Sequence, residues 1–398
     1  MNKLYETNSY MTSCATIVTD STVIDGKNYI YLKDSIFFPN EGGQYADTGY
    51  IEYNGQDIKL TDGILESSEA DAKETIIRYA VEEAIPVNSN VICKLDWNKR
   101  FDRMQNHSGE HIISGLIHNI YGYDNVGFHL SDDEPVTLNI NKPLSREQIM
   151  DIEAKANSVI YANFPITASY PDKAALSSID YRSKIDILGQ VRLITIGNEN
   201  ETIDICACCA PHVAHTGEIG IIKVINSINY KGGTQISILC GRRAIEYINH
   251  NLSIISDLGT MFTTHPDNIC ANVKTLREEL NDCKAKISEL KEREYIQMIN
   301  NMCIDDLHII VTEDELTAGN MKNLFNCLTE KFDGYVGIFV GSDTDGYRYN
   351  IGSRNLETVR LAEHMRNALQ AKGGGSGCMI QGKVNAKKDD IIRTLTSF

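Results

Sequence analysis

The fold is decided by the stretch Arg100–Leu116, which reads RFDRMQNHSGEHIISGL. Its apolar residues, Met104 and Ile112 among them, return at the three- and four-residue spacing that predicts a helix. His107 and His111 are four residues apart, so a helix places both imidazoles on one face, where they can bind one metal ion. Because most helical histidines bind no metal, the interpretation depends on a second stretch.

The second stretch is Thr202–Glu218, which reads TIDICACCAPHVAHTGE. Cys208 and His212 could add a thiolate and an imidazole to the histidine pair. Three neutral imidazoles and one thiolate form a tetrahedral set that suits Zn2+ rather than Mg2+ or Ca2+. Cys206 and Cys209 crowd Cys208 and could form a C-x-x-C pair, but that pair would leave His212 without a role, so we rank it second. The predicted zinc ligands are His107, His111, Cys208 and His212.

Length and composition are those of an ordinary globular protein. The 398 residues predict two or three domains, with 42% apolar and 23% charged residues. No apolar run reaches about eighteen residues and the first residues do not form a signal peptide, so we expect no membrane partner and a cytoplasmic location. The 11 cysteines are odd in number and dispersed, which favours free thiols and metal ligands over a disulfide scaffold.

The net charge of −16 argues against indiscriminate nucleic-acid binding, because phosphate requires clustered Lys and Arg. The range 371–398 differs, since five basic and two acidic residues give it a local charge of +3. Such a run is usually a solvated surface, yet this glycine-rich tail is where we expect phosphate to bind. The candidate residues are Lys372, Gly373, Gly374, Gly375, Lys383, Lys387 and Lys388.

Strand and helix patterns predict an α+β chain in four parts. Residues 1–95 contain short β-branched and aromatic runs separated by turns, which predict a small barrel-like β domain. Residues 96–247 combine the histidine helix with strands, and the metal would lie where helix and sheet meet. Residues 248–300 predict a helical linker with a short heptad seam, which could pack on its own chain or pair two subunits. Residues 301–398 predict a C-terminal α/β domain, which could also pair two subunits.

A glycine loop stands out in the first part. Gly42 and Gly43 would let the backbone come close to a ligand, and Gln44 offers a donor and an acceptor. Taken alone, such a loop is more often a tight turn than a binding site.

Several motifs follow one another in a fixed order along the chain. They are Gly42–Gln44 with Asp47–Gly49, Arg100–His111, Gly127–His129, Cys208–Val213 with Thr216–Gly220, and Gly373–Gly375 with Gln381–Gly382. In this order they resemble the editing and C-terminal domains of alanyl-tRNA synthetase, and the resemblance covers nearly the whole chain. We expect no aminoacylation domain, so the sequence resembles the long form of the free-standing editing proteins called AlaX.

The resemblance implies hydrolysis of seryl, and possibly glycyl, groups wrongly attached to tRNA(Ala). It implies zinc on the four ligands given above, an amino-acid pocket lined by Gly42, Gly43 and Gln44 with Ser108 nearby, and tRNA binding by the C-terminal domain. One departure concerns the family's usual Gly-Thr before the last histidine, which is Ala210–Pro211 here. Because proline lacks a backbone N–H, we expect an altered pocket geometry.

The chemistry agrees with this implication. An aminoacyl-tRNA is an ester, and zinc can polarise its carbonyl or lower the pKa of a bound water to about 7. Four protein ligands describe a closed site, so we expect either exchange of one ligand for water or a zinc that shapes the pocket while Glu110 or Gln44 positions the water. Ser108 and Gln44 could recognise the seryl hydroxyl, which a pocket made for alanine rejects poorly. Alternatively, Ser108 only caps its helix or bonds back within it.

Two other functions stay open. The segment His107–His111 also fits H-x-x-E-H, a zinc-protease motif in which Glu110 would be the general base. That mechanism gives Cys208 and His212 no role. The second alternative is a non-catalytic zinc in a protein that binds tRNA or dimerises.

Overall fold

The computed structural model describes residues 1–66, 76–183, 190–301, 308–312, 316–375 and 377–398, with only the backbone of 308–312. The chain divides into two units, Met1–Ile255 and Ser256–Phe398. Both combine helices with sheets, which confirms the predicted α+β class. The four-part domain division stays a prediction.

In the first unit the strands and helices follow one another as β1 (Asn2–Lys3), α1 (Leu4–Thr7), β2 (Ser13–Ile24), β3 (Lys27–Leu32), β4 (Asp34–Ser35), β5 (Gly49–Tyr53), β6 (Gln56–Glu66), β7 (Ile76–Val81), β8 (Asn90–Leu95), α2 (Trp97–Tyr121), β9 (Asn125–His129), β10 (Val136–Ile140), α3 (Arg146–Ala162), β11 (Ile166–Ser169), α4 (Lys173–Leu176), β12 (Leu193–Gly197), β13 (Thr202–Ala207), β14 (Ile222–Tyr230), β15 (Gly233–Cys240) and α5 (Gly241–Met261), which crosses the division.

Six antiparallel strands close a barrel in the order β2, β3, β7, β6, β5 and β8. Alternating side chains fill its interior, including Ile30, Leu60 and Tyr79, all fully buried. Closure leaves no open strand edge in this sheet. The barrel-like β structure predicted from the turn-separated runs is therefore confirmed.

Helix α2 lies at the centre of the remainder of this unit. The side chain of Asp96 caps its first turn by accepting the N–H of Lys99, and the helix ends at Gly122 with a left-handed φ of 67°. Every residue from Asp102 to Ile117 is buried, because α2 packs against α3, β13 and β15. A helix enclosed in this way holds its polar side chains in fixed surroundings.

Two glycines set the distance between α2 and its neighbours. A Cβ on Gly109 would lie 2.4 Å from Cys240 Sγ, and one on Gly115 would lie 2.6 Å from the carbonyl oxygen of Ile203. Glycine therefore lets β15 and β13 approach the helix closely. The sheets concerned have the strand orders β14-β15-β10-β9 and β11-β12-β13.

The second unit contains α6 (Ile269–Asn301), β16 (His308–Thr312), α7 (Ala318–Lys331), β17 (Val336–Ser342), β18 (Gly346–Gly352), α8 (Thr358–Leu369), β19 (Lys372–Gly374), β20 (Met379–Val384) and α9 (Lys388–Thr396). Its sheet has the order β16-β17-β18-β20-β19, in which the pair β16 and β17 is parallel and the other pairs are antiparallel.

The range predicted as a helical linker, 248–300, contains parts of two helices. Helix α5 ends at Met261, a short 3-10 turn follows at Pro266–Asn268, and α6 begins at Ile269. On α6, the heptad residues Leu280 and Leu290 are 52% and 63% exposed. Pairing of two subunits through this seam stays a prediction.

Candidate metal centre

Two distant segments converge on one centre in the first unit. His107 and His111 lie on α2, whereas Cys208 and His212 lie in the loop after β13. Cys208 Sγ is 3.5 Å from His107 Nε2 and 3.4 Å from His212 Nε2. The ligand atoms of all four residues lie within 4.8 Å of one another.

The spacing of these atoms fits a tetrahedral zinc ion. Zinc–nitrogen bonds of about 2.0–2.1 Å and a zinc–sulfur bond of about 2.3 Å separate the nitrogen and sulfur corners by about 3.5 Å. The observed separations of 3.5 and 3.4 Å agree with that value. Cys208 is the sulfur of this set, whereas Cys206 groups with His111 and Asp204 on the other side of the His111 ring.

Each imidazole is held from behind through its second ring nitrogen. Because Nδ1 of every ring is occupied by a side chain, Nε2 is the nitrogen left for the centre. Such partners fix the tautomer and the orientation of metal-binding histidines. The pairs are His107 with Gln44 Oε1 (2.7 Å), His111 with Asp204 Oδ2 (2.9 Å) and His212 with Ser108 Oγ (3.0 Å).

Asp204 is itself fixed by Arg182. The guanidinium donates from Nε to Oδ1 at 2.8 Å and from Nη2 to Oδ2 at 2.9 Å. Burial raises the pKa of Asp204, but the hydrogen bond from His111 and the charge of Arg182 outweigh it and hold that pKa below its usual value. Because Arg182 already neutralises the carboxylate, Asp204 orients His111 rather than binding a second ion with Cys206.

The charges around the centre favour metal binding. Burial raises the pKa of the Cys208 thiol, but His107 and His212 outweigh it and bring the pKa well below its usual value, which favours the thiolate. Burial lowers the pKa of His212 to about 3, so this imidazole is neutral at neutral pH. At His111 burial also lowers the pKa, yet Cys206 and Asp204 outweigh burial and raise it well above its usual value.

Arg192 shapes the loop that carries the sulfur ligand. Its Nη1 donates to the carbonyl oxygens of Cys208 at 2.9 Å and Ala210 at 3.0 Å. Ala210 is 3% exposed and packs into the barrel core, and Pro211 is buried beside it. The Ala210–Pro211 pair, which replaces the Gly-Thr usual in the family that the sequence resembles, therefore joins the loop after β13 to the barrel.

The glycine loop is a tight turn that reaches the centre. Gly42 and Gly43 have φ values of 62° and 85°, which favour glycine at both positions. A Cβ on Gly43 would lie 2.5 Å from the carbonyl oxygen of Phe128. Gln44, 2% exposed, follows the turn and accepts a hydrogen bond from His107.

A buried ion pair ties this loop to α2. Arg100 is fully buried and donates from Nε to Asp47 at 3.0 Å, with a second, shorter bond from Nη2. It also donates to the carbonyl oxygen of Ile36 at 2.6 Å. The glycine loop and the histidine helix are thereby held in one position, since breaking either partner would leave a buried charge unpaired.

Two buried polar atoms of the glycine loop have no hydrogen-bond partner among the described residues. They belong to Glu41 (Oε2) and Gln44 (Nε2). Burial raises the pKa of Glu41. The charge of Lys3 lowers this pKa, whereas the charges of Glu6 and Cys208 raise it, so the Glu41 carboxylate interacts electrostatically with the candidate sulfur ligand. An unpaired buried polar group is costly unless a ligand completes it.

The remaining site candidates have clear positions. Glu110 is 1% exposed, and its Oε1 accepts hydrogen bonds from Ser114 at 2.6 Å and Asn125 at 2.7 Å. Its Oε2 lies 3.8 Å from His111 Nε2, close to the centre. Ser108 neither caps α2 nor bonds back within it, because its hydroxyl contacts His212 and accepts the N–H of Val213 at 3.3 Å.

The candidate phosphate residues lie in the second unit. Lys372 on β19 is directly opposite Lys383 on β20, which is directly opposite Arg348 on β18, so three cations form one row. With Lys322 they line a groove of about 820 Å³ that has no carboxylate among its described lining residues. Gly373 contributes to the same groove, whereas Gly374 is exposed and Gly375, Lys387 and Lys388 lie outside it.

Sequence reasoning named Gln44 and Ser108 only as substrate contacts, and it missed the other residues around the candidate ligands. Asp204, Arg182, Arg192, Asn125 and Glu41 were not among the candidates. Only Asp204 offered a signal, because it is an acidic residue within the apolar run of β13 beside the predicted cysteine ligand. In the described parts of the chain, no helix is long and apolar enough to cross a membrane.

Comparison with known proteins agrees with this architecture. Residues 191–236, which include the cysteine ligand loop, match the family described as the threonyl and alanyl tRNA synthetase second additional domain. The chain is 24% identical to the alanine–tRNA ligase of Caldivirga maquilingensis, covering 94% of this chain and 42% of the ligase. The chain therefore spans about two fifths of the length of the ligases that it matches.

Two free-standing proteins match over most of their length. The alanyl-tRNA editing protein AlaX-L of Pyrococcus horikoshii is 22% identical, over 98% of this chain and 96% of its own. The alanyl-tRNA editing protein Aarsd1-B of Xenopus laevis is 24% identical, over 89% of this chain and 84% of its own. The resemblance to the long-form AlaX proteins is thereby confirmed.

Proposed function

We propose that this chain is a zinc-dependent hydrolase that deacylates mischarged tRNA(Ala), seryl-tRNA(Ala) first and glycyl-tRNA(Ala) second, without aminoacylation activity. The observation that carries the proposal is the meeting of His107, His111, Cys208 and His212 beside the Gly42–Gln44 turn. The editing function named for relatives that match nearly end to end supports the same substrate class. We propose the cytoplasm as the location, since charged tRNA is the substrate.

When bound at this centre, zinc supplies a Lewis acid for the ester carbonyl and an acidified water. The side chains around the centre would bind and position the ester. Gln44 is fixed through Oε1 by His107, which leaves its Nε2 as a donor for an oxygen of the aminoacyl group. The Glu110 carboxylate, held by Ser114 and Asn125, is near enough to accept a proton from water.

The groove of the second unit supplies a surface for the tRNA backbone. Like charges opposite each other in a sheet destabilise it, so the row Lys372, Lys383 and Arg348 is best explained by an anionic ligand. The chain as a whole is strongly acidic, with a net charge of −16, which disfavours phosphate elsewhere. We therefore propose that this groove binds the tRNA, and that the first unit alone does not retain it.

Two alternatives are tested by the same experiment. A protease with Glu110 as its base would have no use for Cys208 and His212, yet both lie with the two helical histidines. A purely structural zinc remains compatible with four protein ligands. Purified zinc-loaded protein is incubated with Ser-tRNA(Ala), Gly-tRNA(Ala), Ala-tRNA(Ala) and an unstructured peptide.

Rapid loss of the seryl ester, slower loss of the glycyl ester and survival of the alanyl ester would support editing. Cleavage of the peptide would support the protease. Binding of tRNA without loss of any ester would support a structural zinc and contradict the proposal.

A further inference from the structure

The turn that carries Gln44 also orients Glu41. The Glu41 N–H donates to the Gln44 carbonyl oxygen at 3.2 Å, and the Gln44 N–H donates to the Glu41 carbonyl oxygen at 3.0 Å. These two residues are therefore a directly opposed antiparallel pair across a two-residue turn made by Gly42 and Gly43. Side chains of such a pair leave the backbone on the same face.

That face is turned toward the metal centre. The Gln44 side chain leaves the turn on this face, and its Oε1 lies 2.7 Å from His107 Nδ1. The Glu41 side chain therefore leaves the turn on the side that faces His107. The carboxylate atom Oε2 of Glu41 is buried and has no hydrogen-bond partner among the described residues, and the same holds for the amide nitrogen of Gln44. One face of the turn thus presents an unpaired acceptor and an unpaired donor.

The charged residues near Glu41 pair with one another rather than with its Oε2. Lys3 is paired with Glu6 at 3.3 Å, and Glu6 also accepts the hydroxyl of Tyr170 at 3.0 Å. The buried oxygen Oε2 of Glu41 is left without a hydrogen-bond partner among the described residues, which is unfavourable. A small cationic group that lies beside the centre and donates to this oxygen would remove that cost.

We infer that Glu41 binds the α-ammonium group of the aminoacyl ester while the Gln44 amide donates to an oxygen of the same aminoacyl group. This inference rests on the proposed function, because an aminoacyl ester is a substrate that carries an ammonium group next to its carbonyl. Free α-amino groups have a pKa of about 7.7–8.0, and a neighbouring carboxylate favours their charged form. Glu41 then selects esters of amino acids over esters without an amino group.

The test compares two esters that differ only in the amino group. Ser-tRNA(Ala) and 3-hydroxypropionyl-tRNA(Ala), in which hydrogen replaces that group, are hydrolysed by the zinc-loaded wild type and by Glu41→Gln. We expect Glu41→Gln to lower kcat/KM for the seryl ester by about 10-fold to 100-fold, the range for one hydrogen bond to a charged group, and to change the rate for the deaminated ester by less than about twofold. Glu6→Gln, which alters a nearby but already paired carboxylate, should leave both rates unchanged.

Equal loss on both esters, or no loss on either, would overturn the inference while the wild-type activity still supports the proposed function. A wild type inactive on Ser-tRNA(Ala) would instead remove the proposed function and the inference with it. Zinc content and melting temperature are measured for each variant. If Glu41→Gln does not fold, Glu41→Asp takes its place, and loss confined to the seryl ester remains the required result.

Discussion

At the scale of single residues, the centre depends on which nitrogen of each histidine is occupied. Gln44, Asp204 and Ser108 each hold one Nδ1, so three rings present Nε2 toward one sulfur without any rearrangement. A site prepared in this way loses little entropy when the ion binds, and its partners raise the basicity of the ligands.

Replacing the sulfur ligand tests its identity. Loss of a residue that only orients a metal ligand weakens metal binding by about 10-fold to 100-fold. We expect Cys208→Ala, which removes a ligand itself, to weaken zinc binding by more than this and to reduce deacylation of Ser-tRNA(Ala) in parallel. Zinc per chain is measured by atomic absorption after dialysis against a weak chelator. Cys209→Ala is the matched control, since Cys209 lies in neither group of potential ligand atoms among the described residues. Retained zinc in Cys208→Ala together with lost zinc in Cys209→Ala would assign the ligand to the other sulfur.

Spacing in the sequence predicts the four ligands, and their binding of zinc stays a prediction, whereas most of the contacts around them could not be predicted. The i,i+4 histidines and the C-x-x-x-H pattern are local, so the sequence displays them directly. Arg182, by contrast, lies 22 residues before Asp204, and its importance follows only from the pairing of that segment with β13. The role of Ser108 depends on a contact with His212, 104 residues away. Such contacts are products of the folded chain.

At the scale of elements, α2 determines the site because it is packed so closely. Glycine inside a helix normally costs about 1 kcal/mol relative to alanine. Here Gly109 and Gly115 stand where β15 and β13 touch the helix. The close approach at Gly115 also positions Asp204, whose Cβ would lie 2.8 Å from an added methyl group.

We expect Gly115→Ala to destabilise the protein by about 1–3 kcal/mol, because overpacking against the Ile203 carbonyl outweighs the gain in helix propensity. The shift of β13 should also weaken zinc binding through Asp204. Urea unfolding and a zinc competition assay measure both effects. Gly319→Ala in α7, where an added Cβ would meet only Thr317 Oγ1, at 3.8 Å, among the described residues, should be neutral or stabilising. Equal stability of the two variants would contradict this explanation of the packing.

Element types were largely predictable, whereas glycine contacts and helix interruptions were not. Apolar periodicity predicted the helix that is now α2, and the run Val136–Ile140 has the alternation expected of β10. The heptad pattern from Val273 onward lies within α6, but it gave no sign of the interruption between α5, which ends at Met261, and α6, which begins at Ile269. Pro266 begins the short turn there. Proline is tolerated at the first position of a helix, so the sequence alone does not show the direction that the chain takes after this residue.

At the scale of the whole molecule, charge separates the two tasks. The metal centre lies in the first unit, whereas the row of cations lies in the second. On a strongly acidic chain, the cationic groove lined by Lys322, Arg348, Lys372 and Lys383 would favour contact with phosphate. The basic tail was visible in the sequence, but Arg348 and Lys322 join it only through strand pairing and helix packing.

Reversing two charges of the groove should release tRNA without disturbing the metal. We expect the double variant Lys372→Glu and Lys383→Glu to weaken tRNA(Ala) binding by at least about 10-fold at 50 mM salt, and to reduce the slope of log affinity against log salt by about one for each phosphate that the groove no longer neutralises. Zinc content should be unchanged. The double variant Lys27→Glu and Lys142→Glu, which makes the same charge change at exposed positions of the first unit, should bind nearly as the wild type does. Equal weakening by both pairs would mean that net charge, rather than the groove, controls binding.

The most direct measurement of the central claim is a titration of metal-free protein with zinc, followed by the initial rate of Ser-tRNA(Ala) deacylation at each ratio. A single centre formed by His107, His111, Cys208 and His212 predicts no activity without zinc, a linear rise and a plateau at one zinc per chain. Full activity in the metal-free protein, or a rate that does not respond to the first equivalent of zinc, would contradict the claim.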